Sequence, residues 1–261
     1  MNKIKQFLKK ILPKSFLAWN RRRKLTNLRV RNTKLSTKEV FTSIYAQNVW
    51  GGEKGSFCSG SGSQLSVAIP YCEMVKQFVS EHNVKSVLDI GCGDFTVGQQ
   101  MQVFGTQYIG IDIVQDLIDR NTKLFGSNGI QFKCLDAIVD QLPIADLVLV
   151  RQVLQHLSNE QISRLLSKLH AYRYVMVTEH YPAPCENLIP NLDKPHGGDT
   201  RIYDGSAVYL DRPPFNIQGL RTILQVPASD LPIDEGETIK TVLFIGHPDP
   251  MKVRAYEGDR N

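Results

Sequence analysis

The acidic and glycine residues between Asp89 and Asp94 are the part of this sequence whose types and spacing could do chemistry. The run SVLDIGCGDF, residues 86–95, places Asp89, Gly91, Gly93 and Asp94 at the end of an apolar stretch. Carboxylates this close together repel one another, whereas a cationic ligand is attracted to them. The two glycines let ligand atoms approach the backbone where a Cβ would block them. The run therefore fits either a tight turn or a site for a cationic ligand that also carries hydroxyl groups.

Two further acids follow the next two apolar runs. GIDI places Asp112 23 residues after Asp89, and KCLDA places Asp136 after the third run. A carboxylate at Asp112 could accept two hydrogen bonds from a ribose diol, as acids at this position do in dinucleotide-binding domains. Asp136 could accept a hydrogen bond from an adenine amino group. Together the three acids predict a site shaped for adenosine.

The elements that must position these acids alternate between strand and helix patterns from residue 80 onward. Strand patterns lie at 84–90, 107–113, 130–136, 145–150, 172–179, 220–226 and 240–246, and helical patterns lie at 97–104, 114–125 and 159–170. This alternation is typical of an α/β fold, a largely parallel sheet covered by helices on both faces. Ligands of such sheets bind outside the carboxyl ends of the strands, where the three acids are expected.

The acids around the glycines distinguish between two adenosine-containing cofactors. A dinucleotide site uses G-x-G-x-x-G and holds a pyrophosphate at a helix N-terminus, but Thr96 occupies the third glycine position here. Asp89 and Asp94 would also repel a pyrophosphate. S-adenosylmethionine has no phosphate and carries a sulfonium and an ammonium group, so the sequence favours it.

These motifs resemble those of the class I S-adenosylmethionine-dependent methyltransferases. VLDIGCGD resembles the glycine-rich first motif, IGIDI the ribose-binding acid, LDA the adenine-side acid and ADLVLVRQVLQHL the fourth-strand motif. The resemblance covers about residues 80–180 closely and extends more loosely to 246. Phe95 stands where a third glycine is frequent, and it is expected to narrow the loop.

The resemblance implies a Rossmann-like sheet of seven strands, mostly parallel, with an antiparallel last strand and helices on both faces. It also implies S-adenosylmethionine as the cofactor. Arg151, after the fourth strand, could bind a carboxylate of the cofactor or substrate bidentately, or else pair with a surface acid. The residues expected to bind the cofactor are Asp89, Gly91, Gly93, Asp94, Asp112, Ile113, Asp136, Ala137 and Arg151.

Segments outside the core carry a second, narrower resemblance. WGG…SGSGS and the late PPFN, together with VLDIGCGDF, are similar to a bacterial group of small methyltransferases, several of which are suspected to act in surface-polysaccharide pathways. This resemblance implies methylation of a hydroxyl on a sugar, a glycan or another small polar acceptor. Methylation of RNA or protein is one alternative. A non-catalytic scaffold that keeps the fold is another.

The inserted region 178–216 concentrates polar candidates for the acceptor side of the site. Methylation of a hydroxyl needs a base near the reacting oxygen. His196 or His180 could be this base, with Asp193 or Asp199 orienting it. Alternatively, Asp193, His196 and Asp199 could hold a divalent cation that binds sugar hydroxyls. A structural polar loop fits the same residues.

Four further residues complete the acceptor-side expectations. His156, in RQVLQHL, could cap a helix or orient the substrate as part of the catalytic set. The substrate side is expected to include Glu179, Arg201 and Trp50 beside Asp193. Trp50 belongs to a stretch in which Tyr45 and other aromatic residues alternate with glycines, which predicts either a lid over the cofactor or a mobile loop.

The excess of positive over negative charge lies in an N-terminal arm. Residues 1–40 hold 13 of the 31 Lys and Arg residues and one of the 26 acids, so the remainder has 18 basic and 25 acidic residues. An acidic body argues against a nucleic-acid partner. Ile4, Phe7, Leu8 and Ile11 lie at helical spacing among lysines, which predicts a basic amphipathic segment that ends at Pro13. Peripheral contact of residues 1–24 with an anionic membrane and a partner-packed extension both fit this pattern.

The chain is therefore expected to contain an extension (1–40), a lid and substrate-side segment (41–80), a methyltransferase domain (81–250, with the insertion 178–216) and a tail (251–261). The five cysteines show no metal-like spacing, and their odd number favours a reducing compartment. The predicted location is cytoplasmic, at the inner face of the membrane if the arm binds lipid.

Overall fold

The computed structural model describes residues 14–53, 55–103, 105–184, 186, 188–228 and 236–246. Within these residues the chain forms one sheet of seven strands, ordered β3-β2-β1-β4-β5-β7-β6. The strands are β1 (Ser86–Ile90), β2 (Gln107–Asp112), β3 (Ile130–Cys134), β4 (Leu147–Arg151), β5 (Tyr174–Tyr181), β6 (Arg221–Pro227) and β7 (Thr238–Ile245).

The direction of the strands confirms the predicted fold class. Strands β1 to β5 pair in parallel, whereas β7 lies between β5 and β6 and is antiparallel to both. All residues of β1 and β5 are buried. Burial on both faces explains why apolar and polar residues do not alternate along these strands.

Helices cover both faces of the sheet. They are α1 (Lys14–Asn32), α2 (Thr37–Ala46), α3 (Leu65–Glu81), α4 (Thr96–Gln100), α5 (Gln115–Phe125) and α6 (Asn159–Leu169). The helix predicted over 97–104 is shorter than expected, because α4 ends at Gln100. In α6 the predicted apolar face is buried, and Ser158 and Gln161 form a capping box at its start.

Phe95 adopts a left-handed backbone conformation, with φ of 66°. Glycine adopts this conformation more easily, which accounts for the glycine that is frequent at this position in the resembling family. The Phe95 ring is buried against Tyr108, Phe125 and Phe132, at centroid distances of 5.2, 5.1 and 4.9 Å. Because the ring packs into the core, it does not narrow the loop as expected.

The C-terminal part of α1 packs on the inserted region 178–216. Arg29 donates hydrogen bonds to Asp199 at 3.0 and 2.7 Å and also pairs with Asp204. The amide of Asn32 donates to the carbonyl of His196 at 3.1 Å. The predicted amphipathic segment before Pro13 lies outside the described residues, so its contact with a membrane stays a prediction. Among the described residues, no helix combines the length and apolar character needed to cross a bilayer.

Candidate active site

A cleft opens at the carboxyl ends of β1, β2 and β4, under α2 and the segment that follows it. The empty space in and above it, which includes open solvent, is about 1120 Å³. All nine residues expected to bind the cofactor line it: Asp89, Gly91, Gly93, Asp94, Asp112, Ile113, Asp136, Ala137 and Arg151. The structure thus brings the predicted cofactor residues together, and their contact with the ligand stays a prediction.

The glycine loop after β1 is held by the acids around it. Gly91 and Gly93 have positive φ angles of 71° and 56°, which favour glycine. The carboxylate of Asp112 accepts hydrogen bonds from the backbone N–H groups of Gly93, at 3.2 Å, and Val114, at 3.1 Å. Asp94 accepts from the N–H of Thr96 at 3.0 Å and so fixes the start of α4. These contacts align the loop with the end of β2.

Burial changes the ionisation of two cleft carboxylates. It raises the pKa of Asp112 to about 6, although three backbone hydrogen bonds partly oppose the shift. Burial also raises the pKa of Asp89 to about 6, and a hydrogen bond from the Tyr108 hydroxyl opposes it. A cation or hydroxyl donor that replaces lost water contacts would stabilise the ionised forms.

The charges of the residues that line the cleft show whether the expected cofactor fits. Four carboxylates line the cleft, those of Asp89, Asp94, Asp112 and Asp136, against one basic side chain, Arg151. This excess of negative charge suits a sulfonium and an ammonium group, and it opposes a pyrophosphate. The residues present therefore fit S-adenosylmethionine and not a dinucleotide.

The segment between α2 and α3 covers the glycine loop. The backbone N–H of Ser59 donates to Asp94 at 2.9 Å, and the N–H of Asp94 donates to the Ser59 hydroxyl at 2.8 Å. Tyr45 lies 3.1 Å from the same hydroxyl and packs edge-on against Trp50 at 5.4 Å. Tyr45, Trp50 and Ser59 all line the cleft. These contacts support the proposal that the segment acts as a lid.

His156 is the one predicted catalytic residue that lines the cleft. Its ring nitrogen Nδ1 lies 3.1 Å from the carbonyl oxygen of Gly197. A carbonyl only accepts, so Nδ1 carries the proton and Nε2 keeps its lone pair in the neutral ring. Burial, together with the positive charge of Lys194, lowers the pKa of His156 to about 4. His156 is therefore neutral near pH 7 and able to accept a proton.

Glu179 and Arg201, expected on the substrate side, instead hold the short helical turn Leu154–His156. The Glu179 carboxylate accepts from the N–H groups of Leu154, at 2.9 Å, and Gln155, at 3.2 Å. The Arg201 guanidinium donates to the carbonyls of Leu154, at 3.0 Å, and Leu157, at 2.8 Å. Both side chains are buried and neither lines the cleft. Through this turn they hold His156 in position without lining the cleft themselves.

The structure does not bring His180 and His196 to the cleft. His180 follows Glu179 on β5, and successive strand side chains point to opposite faces, so the two cannot share one site. The Nε2 atom of His180 lies 2.8 Å from Glu237 instead. The ring nitrogens of His196 lie 3.1 Å from the carbonyl of Leu35 and 3.3 Å from the Gln161 amide. These positions do not support either histidine as the base.

Asp193, His196 and Asp199 do not form the cation site considered above. Asp199 pairs with Arg29 and lies 3.6 Å from Lys194, so its charge is already balanced. Asp193 accepts from the N–H of Asn159 at 2.8 Å, at the start of α6. In the part of the chain that the structure describes, no group of three or more His, Cys, Asp or Glu side chains could hold a metal ion.

Several residues that line the cleft were not identified from the sequence. Phe41 lies four positions before Tyr45 on α2, and this spacing could have indicated that Phe41 shares a helix face with Tyr45. Tyr71 on α3 and Gln152 after β4 gave no comparable signal. The additional lining residues include Thr37, Phe41, Tyr71, Gln152, Val153 and Leu157.

Comparison with known proteins agrees with this site. Residues 87–172 match a family model described as a methyltransferase domain. A search of curated protein sequences finds no significant match to the chain. The family match defines the class of this part of the chain: residues 87–172 form a methyltransferase domain, and the fold agrees with that match.

Solved structures provide the comparison of the fold. The N-methyltransferase NodS from Bradyrhizobium japonicum, in complex with S-adenosylhomocysteine, has a TM-score of 0.52 and 12% identity, covering 79% of this chain and 98% of its own. Magnesium protoporphyrin IX methyltransferase (ChlM) from Synechocystis, with bound S-adenosylmethionine, has a TM-score of 0.49 and 14% identity, covering 82% and 98%. Human N-acetylserotonin methyltransferase has a TM-score of 0.46 and 13% identity, and the match covers 90% of this chain and 68% of that protein. The likeness to NodS shows the shared fold.

Acidic pH is expected to weaken cofactor binding. The pKa values of Asp89 and Asp112 are raised to about 6, so both become protonated as the pH falls through that value. Binding of ammonium and hydroxyl groups requires the ionised forms, so affinity is complete above this range and lost below it. We expect the affinity for S-adenosylhomocysteine, measured by calorimetry, to fall at least about tenfold between about pH 7.5 and 5. A constant affinity over this range would contradict the role of the two acids.

Gly62→Ala is expected to displace the lid. A Cβ at Gly62 would lie 1.8 Å from the side-chain oxygen of Gln152, and the Gly62 carbonyl accepts from Arg151 at 2.7 Å. The Gln152 side chain, whose flexible end carries this oxygen, should turn aside first, and the strain left at the Arg151 contact should weaken S-adenosylhomocysteine binding about threefold and speed proteolysis within the segment. Gly129→Ala is the matched control, since nothing lies within 4 Å of its added Cβ. Equal affinity and proteolysis in both variants would exclude this lid contact.

Proposed function

We propose that the protein transfers the methyl group of S-adenosylmethionine to a hydroxyl of a sugar, a glycan or another small polar acceptor. The observation that carries this proposal is the neutral His156 in the cleft, held through Nδ1 by the Gly197 carbonyl. The bound cofactor supplies an electrophilic methyl group on its sulfonium. The Nε2 lone pair of His156 accepts the hydroxyl proton as the acceptor oxygen attacks.

The need for a base favours oxygen as the methylated atom. A hydroxyl is a weak nucleophile until its proton is removed, whereas a neutral amine already offers a lone pair. The Glu179 and Arg201 contacts that fix the Leu154–His156 turn would hold such a base in place. NodS, which shares the fold, is an N-methyltransferase. The fold therefore leaves the methylated atom open, and the base carries the argument.

The walls of the cleft favour a small polar acceptor. The Trp50 ring lies 5.1 Å from the His156 ring, and Phe41 lies 6.3 Å from it. An aromatic face beside a base suits a sugar, whose C–H groups pack on the ring while its hydroxyls reach polar groups. The four cleft carboxylates would repel a phosphate backbone. A place in surface-polysaccharide pathways is proposed from the sequence resemblance alone.

Methyl transfer from labelled cofactor into fractionated cell extract tests this proposal. The purified protein is mixed with methyl-labelled S-adenosylmethionine and separate fractions of nucleotide-sugars and glycans, RNA, and protein. Label in the sugar and glycan fraction, absent with the Asp112→Asn variant, would support the proposal. Label only in RNA or protein would overturn the acceptor class. Cofactor binding without label in any fraction would favour a scaffold that lacks catalysis.

The N-terminal arm carries a separate proposal about location. The cluster of lysines and arginines in residues 1–24 would bind an anionic membrane surface, in keeping with a place at the inner face of the membrane. Sedimentation of the full chain with vesicles that contain a fifth of phosphatidylserine tests this binding, with neutral vesicles as the control. Equal sedimentation with both kinds of vesicle would exclude an electrostatic membrane contact.

A further inference from the structure

Gly197 contacts His156 on two sides. Its carbonyl oxygen lies 3.1 Å from Nδ1 of the ring, and its backbone N–H donates to the carbonyl of His156 at 2.9 Å. The first contact orients the ring and the second fixes the backbone that carries it. Gly197 itself lies outside the helices and strands, so other contacts must determine its position.

The chain neighbours of Gly197 are held by elements that precede the sheet. The amide of Asn32, at the end of α1, donates to the His196 carbonyl at 3.1 Å, and the indole of Trp50 donates to the Gly198 carbonyl at 3.0 Å. Asn32 also packs directly on the glycine, because a Cβ added to Gly197 would lie 2.6 Å from the Asn32 amide nitrogen. The position of Gly197 therefore depends on where α1 lies.

Arg29, one turn before Asn32 on α1, binds the end of the same segment. Its Nε and Nη2 atoms donate to one carboxylate oxygen of Asp199, at 3.0 and 2.7 Å. The other oxygen of Asp199 lies 3.6 Å from Nζ of Lys194, and both of these side chains are buried. Loss of Arg29 would leave the buried Asp199 carboxylate with one distant cation, which is unfavourable enough to displace the loop that carries it.

We propose that Arg29 and Asn32 of α1 are positioning residues for the base, and that they act through the segment 196–199. Neither side chain lines the cleft, so their effect on the reaction passes through the Gly197 carbonyl. The proposal rests on the role of His156 in the proposed function above. It makes the N-terminal extension a part of the active site, in which a supporting layer holds the reacting group in its working geometry.

The Gly197 carbonyl matters because it decides which nitrogen of His156 carries the proton. While the carbonyl faces Nδ1, the proton stays there and Nε2 keeps its lone pair. If the segment 196–199 moves, a fraction of the molecules carries the proton on Nε2 and cannot accept another. A displacement of about 1 Å can lower a rate about 100-fold, and a partial loss of the reactive tautomer should lower it less.

NMR of the protein with 15N-labelled histidine, bound to S-adenosylhomocysteine, tests this proposal by reading the tautomer directly. The ring signals of His156 are assigned by their loss in His156→Asn. They are then compared between the unmodified protein, Arg29→Met, and Arg29→Lys, which keeps the charge and loses the second donor. The value of kcat for the acceptor found by methyl labelling and the affinity for S-adenosylhomocysteine are measured on the same variants.

Two matched controls separate this contact from a general effect on α1. Asp204→Asn removes the other ion pair of Arg29 and leaves its contact with Asp199 in place. Arg31→Met removes the same charge as Arg29→Met from an exposed position of α1. Thermal unfolding shows whether each variant folds.

We expect Arg29→Met to show a mixture of the two tautomers, to lower kcat about tenfold and to keep the affinity for S-adenosylhomocysteine within about threefold. Arg29→Lys should fall between this variant and the unmodified protein, which both controls should match. A single Nδ1–H tautomer in Arg29→Met, an equal change in Arg31→Met, or a mixture of tautomers already in the unmodified protein would overturn the proposal.

The tautomer does not depend on the acceptor, so the two proposals can fail separately. If no hydroxyl is methylated, the proposed function fails, and the NMR signals still decide whether α1 positions the ring. If Arg29→Met does not fold, Arg29→Lys and Asn32→Ala, which are milder changes at the same contacts, decide by the same comparison.

Discussion

Asp112→Asn is expected to weaken the binding of S-adenosylhomocysteine about 100-fold, which is the largest effect on affinity that we predict. The Asp112 carboxylate lines the cleft at the end of β2, where a ribose diol would donate two hydrogen bonds to it. Each hydrogen bond to a charged acceptor contributes about 1.5–3 kcal/mol, and asparagine keeps the shape but loses the charge. Isothermal calorimetry at neutral pH measures the change.

The same substitution also affects the loop, and the controls separate the two effects. Asp112 accepts from Gly93 and Val114, and an asparagine in the right orientation can still accept one of these bonds. Asp119→Asn removes the same charge from the exposed face of α5 and should leave affinity unchanged. Comparable losses of affinity in both variants, or a fall in thermal stability that matches the lost affinity, would argue against a ribose contact.

The cofactor side of the cleft was predictable because its geometry is local. In a parallel sheet the residues that end neighbouring strands lie at one edge, so a motif and a strand pattern together place a side chain. Register pairs Asp89 with Gly110, two residues before Asp112, and Asp112 with Cys134, two residues before Asp136. Each acid could therefore be placed from a few residues on either side of it.

The acceptor side was not predictable in the same way. Residues 178–216 owe their arrangement to partners far away in sequence, such as Arg29 and Asn32 on α1, which bind Asp199 and the His196 carbonyl. No periodic pattern encodes such contacts. A cluster of His, Asp and Arg residues in a sequence suggests a catalytic or ligand-binding site. Buried charges of opposite sign, however, also hold an irregular loop in place.

Two residues that were expected on the substrate side, Glu179 and Arg201, instead account for the position of His156. Glu179 and Arg201 clamp the Leu154–His156 turn from its N–H and carbonyl sides, and Trp50 donates to the Gly198 carbonyl at 3.0 Å. The loop that carries Gly197 is thus fixed on several sides, and its carbonyl sets the tautomer of His156. Residues expected to bind the substrate instead support the histidine that we propose as the base.

His156→Asn is expected to lower kcat about 100- to 1000-fold and to leave the affinity for S-adenosylhomocysteine within about threefold, since a general base acts only on the acceptor proton. His170→Asn, which changes an exposed histidine outside the cleft, should leave kcat unchanged. The acceptor found by methyl labelling serves as the substrate. A variant that loses cofactor affinity and kcat together would indicate that His156 supports the cleft and is not the base.

The pH dependence gives this prediction a second, independent measurement. Because burial lowers the pKa of His156 to about 4, the neutral, proton-accepting ring is present above that pH and is lost below it. Any fall in kcat/KM between about pH 7.5 and 5 should therefore follow protonation of the cleft carboxylates, which control cofactor binding, and not His156. With the cofactor saturating, kcat should stay constant until the pH approaches 4. An imidazole NMR signal that titrates near pH 4 and is missing in His156→Asn would assign this ionisation. Titration of that signal near the ordinary pKa of histidine would instead mean that the ring is exposed to water and not buried as the structure has it, and kcat would then fall as the pH drops below about 6.5.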